Sequence, residues 1–259
     1  MRNKFLKKFL IIVFLLLIPV LVNSQPEPLQ IPDISINFNN NEGFSTTLTP
    51  TLEIFLIITV LSIAPSLLML LTSFTRIVIV LGFTRQALGT RQAPPNQVLV
   101  ALALFLTIMI MFPIFTNIYD NAITPYNEGI IGYEEAVERT WEHFQTFMLN
   151  EITAHKNQDN IFMLASALNV EISDIADTPF QILIPSFVLS ELEISFKMGI
   201  LIYLPFIIVD MIVASILLSM GMMMIPPVLI SLPFKLLLFV LINGWDLLVG
   251  SLVRSFSGG

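Results

Sequence analysis

The sequence predicts an all-α protein of integral-membrane type, built from helical hairpins: four long apolar tracts, two of them kinked, with a helical polar segment between the second and the third. Three observations lead there. Of the 259 residues, 55% are apolar and only 12% charged, and the mean hydropathy is +0.84. That leaves too little polar surface to cover a soluble globule of this size. The apolar residues gather into tracts at about residues 53–83, 98–119, 182–220 and 225–253, each long enough to cross ~30 Å of hydrocarbon as a helix. No alternating strand pattern and no internal repeat competes with them.

Taken in order, residues 1–24 open with Arg2, Lys4, Lys7 and Lys8, continue as an apolar run over 9–22 and end in Asn23-Ser24. This is the three-part pattern of a secretory signal peptide, with cleavage expected after Ser24. Residues 25–50, rich in Asn, Pro, Ser and Thr and without a sustained period, read as an exposed linker. Residues 51–119 hold the first hairpin and 182–259 the second. The first and third tracts exceed one span in length and contain Pro65 and Pro205, where a kink or break is expected.

The segment 120–181 is the sizeable polar region. Tyr133, Val137, Trp141, Phe144, Met148 and Ile152 recur at steps of three and four, with Glu134, Glu135, Glu138 and Glu142 off that stripe, the signature of an amphipathic helix. A shorter helix is expected to start at Asp159 as its cap, to turn Ile161, Leu164, Ala165 and Leu168 inward, and to stop before Pro179. Charge sets the orientation. The loop 84–97 carries Arg85 and Arg91 and no acid, whereas 120–181 carries eleven acids against Arg139 and Lys156. The short loop is therefore expected inside the cell and the acidic segment outside.

Composition also narrows the chemistry. Without cysteine there are no disulfides, thiolate metal sites or cysteine nucleophiles. The net charge of −7 becomes −11 once the basic leader is removed, which disfavours nucleic acid as a partner. His143 and His155 lack the spacing of a helical zinc site and read as surface or interface residues. Asp210 and Asp246 could form an intramembrane protease dyad, but the Gly-rich surroundings expected of one are missing at both. An internal repeat, expected of many small-solute transporters, is not apparent either. No catalytic residue, cofactor or metal is expected.

Two features point elsewhere. A charge placed in hydrocarbon costs on the order of 2.5 to 3.5 kcal/mol, so Arg76, Lys197, Lys235 and Asp210 should face protein or water, with Glu191, Glu193, Asp210 and Asp246 available as acids. The run Met220-Gly221-Met222-Met223-Met224-Ile225-Pro226-Pro227 joins the last two tracts. Two prolines forbid a regular continuation, and unbranched, polarizable methionines can fill an irregular space. Repeated around an axis, such a loop would make a deformable plug that stops ions and yields to a polypeptide.

The stretches RIVIVLG at 76–82, RQALGTRQAPPNQ at 85–97, PFIIVD at 205–210, GMMMIPP at 221–227 and SLPFKLLLFV at 231–240 resemble the FliP family of flagellar biosynthetic membrane proteins. The resemblance implies a non-enzymatic, pore-forming subunit of the flagellar type III export gate. It implies a homo-oligomeric ring of about five copies, by family habit, that joins FliQ and FliR in the bacterial inner membrane and passes unfolded flagellar subunits. It further implies hairpins packed into a cone, with apparent spans buried in protein, a gate at Met222, Met223 and Met224, and a pairing of Glu191 with Lys235 between copies. Virulence secretion systems hold a relative that generally lacks the leader and the long outer segment, so the likeness is to the flagellar branch.

Overall fold

The computed structural model describes residues 50–90, 93–222 and 224–256. The expected signal peptide and nearly all of the expected linker lie outside them, as do Arg91 and Met223. The chain divides into units 1–59 and 60–259. Of the first, residues 50–59 are described, and they form the start of a helix. The account below concerns the second.

All regular structure among the described residues is helical. The elements are α1 (Pro50–Leu71), α2 (Phe74–Ala87), α3 (Asn96–Ile118), a π turn (Tyr119–Ile123), α4 (Thr124–Asn127), α5 (Tyr133–Ala154), α6 (Asp159–Ala167), a 3-10 turn (Ile175–Asp177), α7 (Phe180–Ser219), α8 (Pro227–Leu241) and α9 (Gly244–Ser255). Residues 96–127 and α7 are each long and apolar enough to cross a membrane, and the count rises to four if two bent pairs each act as one span. Four apolar tracts are thus present, as their length and composition require.

Their breaks fall elsewhere than at the prolines. Helix α1 runs through Pro65, and α7 continues for 40 residues through Pro185 and Pro205. The first tract bends by 89° between α1 and α2, at Thr72-Ser73. Hydroxyls make this break possible. Thr72 Oγ1 donates to the Leu68 carbonyl and accepts the Phe74 N–H at 3.3 Å, while Thr75 Oγ1 donates to the Met69 carbonyl at 2.5 Å, so side chains satisfy backbone groups that the helix gives up. The fourth tract bends by 63° between α8 and α9. There Asn243 adopts φ 50, ψ 51, a left-handed conformation that asparagine tolerates better than most residues.

Helix α2 packs chiefly on α7 and also on α3, while α7 is flanked by α8, α5 and α6. One core joins Phe74, Ile77, Val80 and Leu81 of α2 to Leu99, Ala103 and Leu106 of α3 and to Leu248 and Leu252 of α9. A second joins Met111 of α3, Phe147, Met148 and Ile152 of α5, Ile161 and Ala165 of α6, and Ile182, Leu183 and Phe187 of α7. The middle segment is therefore docked onto both hairpins through its own apolar stripe.

That stripe is buried only in its second half. Met148 and Ile152 are fully buried, but Tyr133 and Val137 are exposed. In α6, Ile161 and Ala165 point inward as expected, whereas Leu168 follows the last helical residue and is exposed. Asp159 stands inside the first turn, after a cap at Gln158, where the helix dipole favours a carboxylate.

Phe187 tests the second core. It is fully buried and meets Phe147 edge-on at 5.8 Å, so Phe187→Ala should lower unfolding stability by about 3–5 kcal/mol. Thermal unfolding in detergent, followed by circular dichroism, measures this, and an unchanged midpoint would mean that α5 does not dock through this ring.

Candidate functional site

Two centres of buried charge and one exposed loop stand out. The 89° bend turns α2 so that Arg76 points into the protein, where it is completely buried. Its guanidinium gives Nε and Nη2 to the two oxygens of Glu191 on α7, at 2.9 and 2.5 Å, and Nη2 also to Glu151 Oε2 on α5 at 2.7 Å. Nη1 donates to the carbonyl and hydroxyl oxygens of Ser255, at 2.9 and 3.0 Å, and lies 3.3 Å from His155 Nε2. The Phe256 ring closes the flat face, its centre 3.7 Å from Cζ. A planar fork of donors is what allows one cation to hold four helices.

Electrostatics at this junction are uneven. Burial pushes the Glu151 carboxyl up to about 7, against the downward pull of Arg76. Arg76 is already committed to the bidentate Glu191 pair, so burial prevails. Burial, reinforced by the Arg76 charge, holds the His155 imidazole below its usual value. His155 is therefore half-buried at the junction and not a plain surface histidine. Glu151 did not stand out in the sequence. Yet Phe144, Met148, Glu151 and His155 continue the helical spacing of three and four toward the core, and that continuation was the available signal.

The second centre lies between α7 and α8. Lys235, almost fully buried, donates to Asp210 Oδ2 at 2.5 Å, and Ser231 donates to Asp210 Oδ1 at 2.5 Å. Both oxygens of Asp210 are thus engaged, while Asp246 is exposed in the first turn of α9. Lys197 is exposed and pairs with Glu193 one turn away, at 2.7 Å. Glu191 and Lys235, expected to pair between copies, each hold a partner within the chain.

The methionine loop is fixed at both ends. Helix α7 closes with the Met222 N–H bonded to the Leu217 carbonyl and the Gly221 N–H to the Leu218 carbonyl, both at 3.0 Å. This double closure requires a left-handed residue after the cap, and Gly221 supplies it at φ +77. Pro226 then caps α8 and Pro227 fills its first position, where a missing N–H is no loss. Met220, just before these anchors, and Met224, between them, are exposed, Met224 at 97%, and Met222 is partly buried.

Arg76 should tolerate no substitute. Arg76→Ala strands the buried Glu191 carboxylate, removes the donor to Glu151 and should cost about 3–5 kcal/mol. Arg76→Lys keeps the charge but replaces a planar fork by a point charge, and should fall closer to the alanine variant than to wild type. Thermal midpoints of the three proteins in detergent decide this, and a wild-type midpoint for the lysine variant would contradict the bidentate role.

A family model described as "FliP family" matches residues 57–252, a span that includes the charged residues of both centres and the loop. The flagellar biosynthetic protein FliP of Treponema denticola is 52% identical over 80% of this chain and 76% of its own length. Those of Bacillus subtilis and Pectobacterium carotovorum are 47% and 44% identical, over 80% and 88% of this chain and 92% and 86% of theirs. On this likeness, together with its long apolar helices, the chain is a membrane-type component of the flagellar export apparatus and belongs to the FliP family.

Proposed function

We propose that the chain is a pore-forming subunit of the flagellar type III export gate, one of a ring of about five copies that joins FliQ and FliR and passes unfolded flagellar subunits. The observation that carries this reading is the methionine loop. Its backbone is pinned at Gly221 and Pro226 while Met224 is almost wholly exposed. Copies arranged about an axis would bring Met222, Met223 and Met224 to one level, a dry constriction of flexible thioethers.

Exposed apolar surface calls for lipid or neighbouring protein as its surroundings. Ile200, Leu201, Leu204, Ile208, Met211 and Ile212 of α7 are all exposed, far more than a monomer in water sustains. A pairing of Glu191 with Lys235 between copies would require each to leave the partner it holds within the chain, Arg76 and Asp210. The net charge distribution supports an inner-membrane site with 120–181 on the periplasmic face.

The gate is tested by replacing Met222, Met223 and Met224 with alanine and measuring ion conductance of the purified assembly in planar bilayers. Leakage should rise at least several-fold with the ring intact by size. Unchanged conductance in an intact ring would return the methionines to ordinary packing.

A further inference from the structure

Arg76 brings one positive charge to a place where two buried carboxylates meet it, Glu191 from α7 and Glu151 from α5. Among the described residues few other charges face them. His155, on α5 itself, lies 3.8 Å from Glu151 Oε2. From α7, Lys197 is exposed and occupied by Glu193. Lys156, Asp159 on α6 and Arg254 on α9 are exposed, and α9 reaches the junction only through uncharged Ser255. With both carboxylates ionised and His155 neutral, one guanidinium faces two anions, and an unbalanced negative charge is left out of water. Low-dielectric surroundings oppose that strongly. One proton removes the imbalance.

We propose that this junction is a proton-binding site, in which Glu151 carries one exchangeable proton while α5 is docked, and that losing it loosens α5 and α6 from α3 and α7. The hydrogen bonding accommodates the proton without rearrangement. Arg76 Nη2 donates to Glu151 Oε2, an oxygen that accepts as part of a carboxylate and, more weakly, as the carbonyl oxygen of a carboxylic acid protonated at Oε1. Oε1 has no hydrogen-bond partner among the described residues and is not among the fully buried unpaired atoms, so it opens to the edge of the junction. Between the two candidate groups, burial raises Glu151 to about 7 and lowers His155. The proton therefore rests on the carboxyl.

The direction of the pH effect follows from a pKa raised on docking. A carboxyl at about 7 when docked and near 4.5 when free favours docking in acid, and this contribution is lost as the pH rises from about 4.5 to about 7, with no further change above. Each unit of difference is a factor of ten, so the opening equilibrium of α5 and α6 should rise on the order of a hundredfold across that window.

Hydrogen exchange on the full chain in detergent reads this directly. After correction for the chemical exchange rate, protection of α5 and α6 should fall by that factor over the window and then level. Glu151→Gln, a neutral stand-in for the protonated acid, should abolish the fall, and His155→Gln should keep it. Infrared spectroscopy of the wild-type chain should show a protonated-carboxyl band that disappears near pH 7, and this decides the matter if the glutamine variant fails to fold. Level protection in the wild type, a fall that survives in Glu151→Gln, a fall lost in His155→Gln, or the absence of the titrating band would each overturn the assignment.

Discussion

A guanidinium taken completely out of water must find an acceptor for nearly every N–H, and the fold is organised around meeting that demand for Arg76. Its partners come from α5, α7 and the end of α9, up to 179 residues away from it in sequence. Displacing any of these helices would cost Arg76 at least one acceptor. The apolar faces packed around the junction are non-directional and could slide against one another. The ion pairs add the direction that sliding contacts lack, since a bidentate Arg–carboxylate pair admits one geometry.

The bends in the first and fourth tracts serve the same end. A straight helix through Thr72 would not turn Arg76 toward Glu191, and the three hydroxyls at Thr72, Ser73 and Thr75 lie where a bend is needed, two of them satisfying carbonyls of the preceding turn. The bend at Asn243 sets α9 so that Leu248 and Leu252 reach the first core and Ser255 reaches Arg76. Gly244 belongs to the same device, because a Cβ there would stand 2.2 Å from the Phe239 ring. Long apolar tracts thus become short, angled pieces whose polar ends meet inside the protein.

The tracts and their borders were legible because apolar length is a strong signal that no other element imitates. The polar helix was legible through its period, and the loop through Gly221 and the proline pair. Break positions were not. Proline is the usual cause of a kink, yet Pro65 and Pro205 lie within helices that continue past them, while hydroxyls and one asparagine made the breaks. Among the charges, the cost of a charge in hydrocarbon called for Arg76, Lys197, Lys235 and Asp210 alike to face protein or water; Arg76 and Lys235 are buried and Asp210 is paired, whereas Lys197 lies exposed at the helix surface beside Glu193. The choice of partner needed three dimensions. Glu191 and Asp210 were equally available to either cation by sequence, and Glu151 was hidden among the many acids of its segment.

The claim that the Arg76–Glu191 pair fixes the arrangement of the hairpins is tested most directly by a double-mutant cycle. Arg76→Met and Glu191→Leu, singly and together, would be compared by unfolding in detergent. Arg76→Met strands the buried Glu191 carboxylate, Glu191→Leu leaves Arg76 with Glu151 alone, and the double change removes the pair, so the double variant should be more stable than Arg76→Met, with a coupling energy on the order of 2–3 kcal/mol. Losses that simply add would show that the two side chains do not depend on each other, and the fold would have to be held together by its apolar faces alone.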